Sequence, residues 1–167
     1  MMDNLPLARV DTVRDGRGMR LATMLLLPAH LLRRAHQLST AIFADELQKE
    51  DLTAIQYATM VAVADLGETD STTISRRIGI DRATLGGVVD RLERKGLLLR
   101  APSPTDRRVK MLSVTEDGHA LLESIEPAVL RVQKLLTQNL TAEESEQFRE
   151  LLFKIVKGTD QSTEQPD

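Results

Sequence analysis

The chain has 167 residues and a mass of 18.6 kDa, near the usual size of one domain, and its 41% of hydrophobic residues suffices for a real core. It holds no cysteine, which excludes disulfides, thiolate metal sites, cysteine nucleophiles and thiol redox sensing. The net charge of −3 hides an asymmetry: residues 71–110 carry ten basic against four acidic side chains, so that block is +6 and the remainder −9. That is the charge pattern of a localised anion-binding face, or else of a solvated basic surface.

In chain order, residues 1–24 read as a flexible N-terminal arm, polar at first, with Gly16 and Gly18 and no sustained periodicity. They lack the basic start and apolar stretch of a secretory signal. The apolar run at 21–27 is too short to span a bilayer, so a soluble cytoplasmic protein without membrane contact is expected. Pro28 suits the first turn of a helix, where its missing N–H would be unpaired anyway. Leu31, Ala35, Leu38 and Ile42 form one apolar stripe on that helix, and Leu32, Phe43 and Leu47 a second. Two stripes imply burial on two sides, as in an interdigitated dimer.

Thr53 and Gln56 have capping-box spacing and open a helix that ends near Gly67. A short helix, STTISRRI, is bounded by Gly79. Asp81 is placed to cap the next helix, whose buried face is Leu85, Val88, Val89 and Leu92, and Gly96 ends it. The period then changes. Apolar residues at Leu97, Leu99, Val109, Met111 and Val114, less strongly at Leu112, flank a turn containing proline and serine, which reads as a two-stranded hairpin with a basic tip. Thr115, Glu116 and Asp117 open a long helix, acids first, as the helix dipole favours. Its apolar face is Ala120, Leu121, Ile125, Ala128, Val132, Leu135 and Leu136, and Pro127 is expected to kink it. Thr141 and Glu144 form another capping box. The last helix carries Phe148, Leu151, Leu152, Ile155 and Val156, and residues 159–167 are a polar tail.

The result is a mainly α chain with a small β-hairpin wing, in which residues 51–115 form a winged helix-turn-helix lobe. In that arrangement the short helix braces and the next enters the major groove by its N-terminal half, flanked by the hairpin. Aromatic residues are only 2%, so the ring platforms on which single strands stack are scarce and a duplex fits better. Ser71, Thr72 and Thr73 on the bracing helix, with Arg82, Thr84, Gly86, Gly87 and Arg91 on the recognition helix, are the expected DNA-facing residues. Arg82 can read guanine or hold a phosphate; Thr84 can donate, accept or touch a thymine methyl. Two adjacent glycines cost helix stability, which implies either close approach to DNA or close packing against the bracing helix.

The segments DRATLGGVVDRLERKGLLLR and PTDRRVKMLSVTEDG resemble the MarR family of bacterial transcription regulators, and the resemblance extends over about residues 25–156. It is most specific in the wing, where Asp106-Arg107-Arg108 is followed by Leu-x-Val-Thr and Gly118. The resemblance implies that Arg107 and Arg108 belong to the DNA interface, that Arg108 inserts into the minor groove, and that Asp106 holds its guanidinium. It also implies that residues 25–50 and 116–158 form a homodimerisation region, and that two lobes meet successive grooves of a pseudo-palindromic operator. The Gly86-Gly87 pair departs from the bulkier or polar residues common in the family.

Most family members respond to a small molecule, and with no cysteine a peroxide signal is excluded. The segment LLRRAHQ resembles the first helix of members that respond to aromatic carboxylates, which places a carboxylate on Arg34, whose fork can pair both oxygens. His30, Arg33, His36, Gln56, Tyr57 and Met60 complete the expected effector pocket. The competing reading has Arg33 and Arg34 in salt bridges between subunits and the histidines at an ordinary surface or interface.

An enzyme is not expected. His30 and His36 are six apart and do not share a helical face, and no GxSxG, P-loop or GxGxxG is present. No catalytic residue, metal site or cofactor is assigned. The alternative is a winged-helix protein-interaction module without DNA binding, which has no need of Arg107 and Arg108 beside an arginine-bearing helix.

Overall fold

A computed structural model describes residues 20–160 of the chain. Most of the expected arm and all but the start of the tail therefore lie outside the described residues. Leu21–Leu25, which the sequence assigns largely to the arm, is a short helix, α1. The tail also begins later than expected, because the last helix continues to Asp160.

Helix α2 spans Pro28–Glu46, with Pro28 in its first turn. Helix α3 spans Ala54–Leu66 and opens on the expected capping box: Gln56 N–H donates to Thr53 Oγ1 at 3.3 Å, and Thr53 N–H to Gln56 Oε1 at 3.0 Å. Helix α4, Ser71–Ile78, is capped by Asp70 and stopped by Gly79, whose φ of +70° is the left-handed conformation glycine adopts most easily. Helix α5, Arg82–Arg94, is capped by Asp81. Strands β2, Leu98–Pro102, and β3, Lys110–Val114, form the hairpin. Two long helices follow, α6 at Glu116–Leu136 and α7 at Ala142–Asp160.

The sheet has three strands rather than the two expected. Thr69–Asp70, between α3 and α4, adds strand β1 to the outer edge of β3, giving the order β1-β3-β2 with both pairings antiparallel. A two-residue strand has too little period to be legible in sequence.

The hairpin departs in part from the expected apolar set: Leu97 is buried and Val114 packs on the core, but Leu98 rather than Leu99 turns inward. Leu98 and Leu112 are buried, whereas Leu99 is 59% exposed. Three consecutive leucines hide the alternation, and the register settles it: Leu98 faces Val114 and Arg100 faces Leu112. Arg100 therefore shares a face with Leu98. It reaches back to α5, with its Nη2 2.6 Å from Asp90 Oδ1 and its Nε 3.5 Å from Glu93 Oε2.

One core joins the elements. Met60 and Val63 of α3, Ile74 of α4, and Leu85, Val89 and Leu92 of α5 meet Leu98 and Leu112 of the sheet, all essentially inaccessible. Full burial of each such side chain contributes about 1.5–3 kcal/mol. Phe43 and Leu47 of α2 and Ile125 and Val132 of α6 extend the core to the long helices. Helix α6 runs unbroken through Pro127, where the Glu123 carbonyl loses its helical N–H partner. None of the described side chains of α7 is buried.

Candidate nucleic-acid interface and effector cleft

The caps of α4 and α5 fix the polar groups at their starts. Asp70 Oδ1 accepts the N–H groups of Thr72 (2.7 Å) and Thr73 (3.1 Å), and its Oδ2 accepts the Thr73 hydroxyl at 2.8 Å. Asp81 does the same for Thr84, taking its hydroxyl on Oδ2 and its N–H on Oδ1 at 2.9 Å. Hydrogen bonds from Thr73 and from Thr84, the hydroxyls first, hold the two carboxyls below their ordinary range. The Thr84 hydroxyl is thus engaged within the chain. Of the roles open to Thr84 in sequence, donating is taken up, while accepting and the methyl contact are left free. Ser71 and Thr72 are half-buried, while Thr73, Arg82 and Thr84 are exposed.

Gly86 and Gly87 lie in the middle of α5, the first half-buried and the second exposed. A methyl built on either meets nothing within 4 Å. Packing against the bracing helix therefore does not account for them, although each costs about 1 kcal/mol of helix stability relative to alanine.

In the wing, Ser103 N–H donates to the Val109 carbonyl and Val109 N–H to the Asp106 carbonyl, both at 2.9 Å. The Asp106 carboxylate accepts the backbone N–H of Arg108 at 2.9 Å. The expected hold on the Arg108 guanidinium is absent from the chain by itself. Asp106 shapes the turn instead, as Asx side chains do two residues ahead of a backbone donor. Arg107, Arg108 and Lys110 all project into solvent.

Among the described residues, two of the ten basic residues in the block are neutralised by acidic side chains: Lys95 by Asp51 at 2.8 Å, and Arg100 by Asp90 and Glu93. Among the described residues, no acidic side chain pairs with Arg76, Arg77, Arg82, Arg91, Arg94, Arg107, Arg108 or Lys110. These eight exposed cations lie on α4, α5 and the wing. Arg91 stands further along α5 than Arg82, where it lines a cleft of about 350 Å³ with Arg94, Lys95 and Gln56.

The expected effector residues do not converge within one chain. Met60 is wholly buried, and Gln56 is buried in its capping box. Arg33 Nη2 lies 3.3 Å from His30 Nδ1. Arg34 and His36 are exposed, and Arg34 has no acidic partner among the described residues. Tyr57 lies 5.8 Å from Phe43, ring centre to ring centre, and lines a shallow cleft of about 500 Å³ between α3 and α6. Its other walls include Val61, Asp65, His119, Leu122, Glu123 and Glu126. Arg34 is nine residues before Phe43, about 13 Å along α2 at 1.5 Å per residue, and does not line this cleft. His119 and Leu122 were missed in sequence. Their helical spacing with Glu126 marks one face of α6, but only the fold shows that this face meets Tyr57. Among the described residues no group of histidines and carboxylates forms a metal site, and no helix is long and apolar enough to cross a membrane.

A sequence profile of the MarR family matches residues 52–110, from the end of the α2–α3 loop into β3. The transcriptional repressor NicR of Pseudomonas putida is 35% identical over 127 residues, covering 76% of this chain and 80% of that protein. BpsR of Bordetella bronchiseptica, solved in a study of the regulation of its DNA binding by 6-hydroxynicotinic acid, superposes with a TM-score of 0.76 at 31% identity, covering 83% of this chain and 97% of that one. A mutant MarR of Escherichia coli, solved in complex with operator DNA, superposes with a TM-score of 0.75 at 25% identity, covering 82% and 99%.

Proposed function

Since this chain belongs to the MarR family, we propose that it is a homodimeric regulator that binds a specific duplex operator and releases it when a small aromatic carboxylate binds. The observation that carries the reading is the set of exposed cations on α4, α5 and the wing that have no acidic partner among the described residues. A folded chain gains nothing from eight such charges gathered on one lobe, whereas a duplex offers a phosphate for each. Such a regulator works beside the chromosome, in the cytoplasm.

Dimerisation is supported by the long helices. Leu31, Leu32 and Leu38 of α2, Leu130 and Leu135 of α6, and Leu151, Phe153, Ile155 and Val156 of α7 are all exposed in the single chain. An apolar surface spread over three helices calls for cover, and a second copy supplies the same helices in return.

The effector reading rests on chemistry divided between two places. The Tyr57 cleft offers an aromatic and aliphatic wall for a ring, and its Asp65, Glu123 and Glu126 disfavour a carboxylate there, so the ring end rather than the carboxylate would enter it. Arg34 offers an uncommitted fork for a carboxylate. The two serve one ligand when the dimer brings Arg34 to the cleft. BpsR supports a pyridine carboxylate such as 6-hydroxynicotinate as a first compound to try.

Gel-shift titrations on the promoter beside its own gene, at several salt concentrations and with added 6-hydroxynicotinate or 4-hydroxybenzoate, test the reading. A complex whose affinity falls steeply with salt, and which either acid dissolves, is expected. A chain that retards no neighbouring promoter, or does so independently of salt, is not this regulator.

A further inference from the structure

We propose that Gly86 and Gly87 are specificity-determining positions that let α5 seat its backbone close to the base edges of the operator. The inference rests on the operator-binding reading above. Both glycines sit inside a regular helix and neither has a positive φ, so neither serves a turn. Among the described residues a methyl on either meets open space, so neither makes room for another described part of the chain. Alanine at both would serve the fold better. The room beside them is therefore for something other than the described fold.

The neighbouring residues indicate what that is. Thr84 stands three residues before Gly87 and Arg91 four after, so the three share one exposed row on the helix. Ala83, Gly86 and Asp90 form the row beside it. The middle of the exposed surface is thus bare backbone and one methyl, with Arg82 before it and Arg91 beyond. A flat occupant with anionic margins fits this shape, which describes a DNA groove with its two phosphate walls.

The dimensions agree. A helix with its side chains is about 10–12 Å across, and the major groove is about 12 Å wide, so long side chains on the inward row hold a helix away from the bases. Thr84 is short, and Asp81 holds its hydroxyl. Its methyl reaches a base only when the backbone comes near. Glycine at 86 and 87 removes what would stand in the way.

The experiment starts with the wild-type protein selecting its own duplex from a random pool. Affinities for that duplex and for a scrambled one of equal length are then measured for wild type, Gly86→Ala, Gly87→Ala and Gly87→Leu, together with melting temperatures. Each alanine variant should melt higher by about 2–4 °C. Each should also bind the selected duplex at least about tenfold more weakly, as for one lost base contact. Gly87→Leu should be weaker still. Affinity for the scrambled duplex, held by phosphates, should stay within about twofold. Unchanged affinity for the selected duplex in all three variants overturns the inference. So does an equal loss on both duplexes. A loss in Gly87→Ala that Gly87→Leu does not deepen overturns it too, because helix flexibility rather than room would then be what glycine supplies. A wild type that selects no duplex removes the operator-binding reading itself, and this inference with it.

Discussion

Gly118 has no space for a side chain because the carbonyl oxygen of Leu97 stands where its methyl would go. Val114 closes the same position from β3. Thr115 tightens the junction, donating its hydroxyl to the Gly96 carbonyl at 2.7 Å while accepting the Gly118 N–H at 2.9 Å. The first turn of α6 is in this way clamped to the root of the wing. Gly118→Ala should destabilise the chain by about 1–3 kcal/mol, the usual cost of overpacking, although alanine is the better helix former. Urea unfolding measures it. A midpoint at or above that of wild type would show that the backbone yields here at no cost.

Arg108→Ala should weaken operator binding by about 1–3 kcal/mol and leave the fold unchanged. Asp106 separates two roles. If it shapes the turn by accepting the Arg108 N–H, Asp106→Asn keeps the acceptor and should bind DNA nearly as wild type does, while Asp106→Ala should bind more weakly. Fluorescence anisotropy on a labelled operator distinguishes the two. Equal losses in both variants would restore a charge pairing with the guanidinium in the complex.

The caps make the lobe sensitive to acid in a defined direction. Asp70 and Asp81 titrate below their ordinary value of 3.8 when folded, chiefly because the hydroxyls of Thr73 and Thr84 donate to the ionised carboxyls. A carboxyl depressed on folding stabilises the native state fully above its unfolded pKa, and that contribution is lost as pH falls through the lower folded value. The difference in melting temperature between wild type and Asp81→Ala should therefore hold constant from about pH 7 to pH 5 and narrow below about pH 4. Melts across this range check it, and a gap that narrows between pH 7 and pH 5 would assign the effect to another group.

Arg34→Ala should retain operator binding and lose the response to the aromatic acid. Its affinity for the acid should drop by about 2–5 kcal/mol if the dimer seals the carboxylate pair from water, and by much less if water reaches it. Calorimetry with wild type and variant decides. Equal affinities together with a weaker dimer would assign Arg34 to a salt bridge between subunits.

The elements that short-range chemistry specifies were readable without the fold. Thr53, Asp81, Thr115 and Thr141 all cap the helices expected of them, and the buried face of α5 is the expected one, Leu85, Val88, Val89 and Leu92. What escaped depended on contacts between distant segments. Leu99 looked like an inward residue until pairing with β3 and the Arg100 ion pairs fixed which leucine turns in. Strand β1 exists only because β3 has a free edge beside it. The effector set drew on residues close in sequence, Gln56, Tyr57 and Met60, but successive positions on a helix point in different directions. One closes a capping box, one faces a cleft and one enters the core. Gly118 was recognisable as part of a motif, yet its reason is a carbonyl twenty-one residues away in sequence.

Asp70 belongs at once to β1, paired with Met111 of the wing, and to the cap of the bracing helix. Arg100 ties the other wing strand to the recognition helix. Both helices and the wing also share one buried core, so they form a single reading head. A signal arriving through the long helices is expected to swing that head as a whole. An effector of this protein should leave the preferred bases of each half-site untouched and change only how far apart two half-sites must lie, a result that operator selection with and without the acid would display directly.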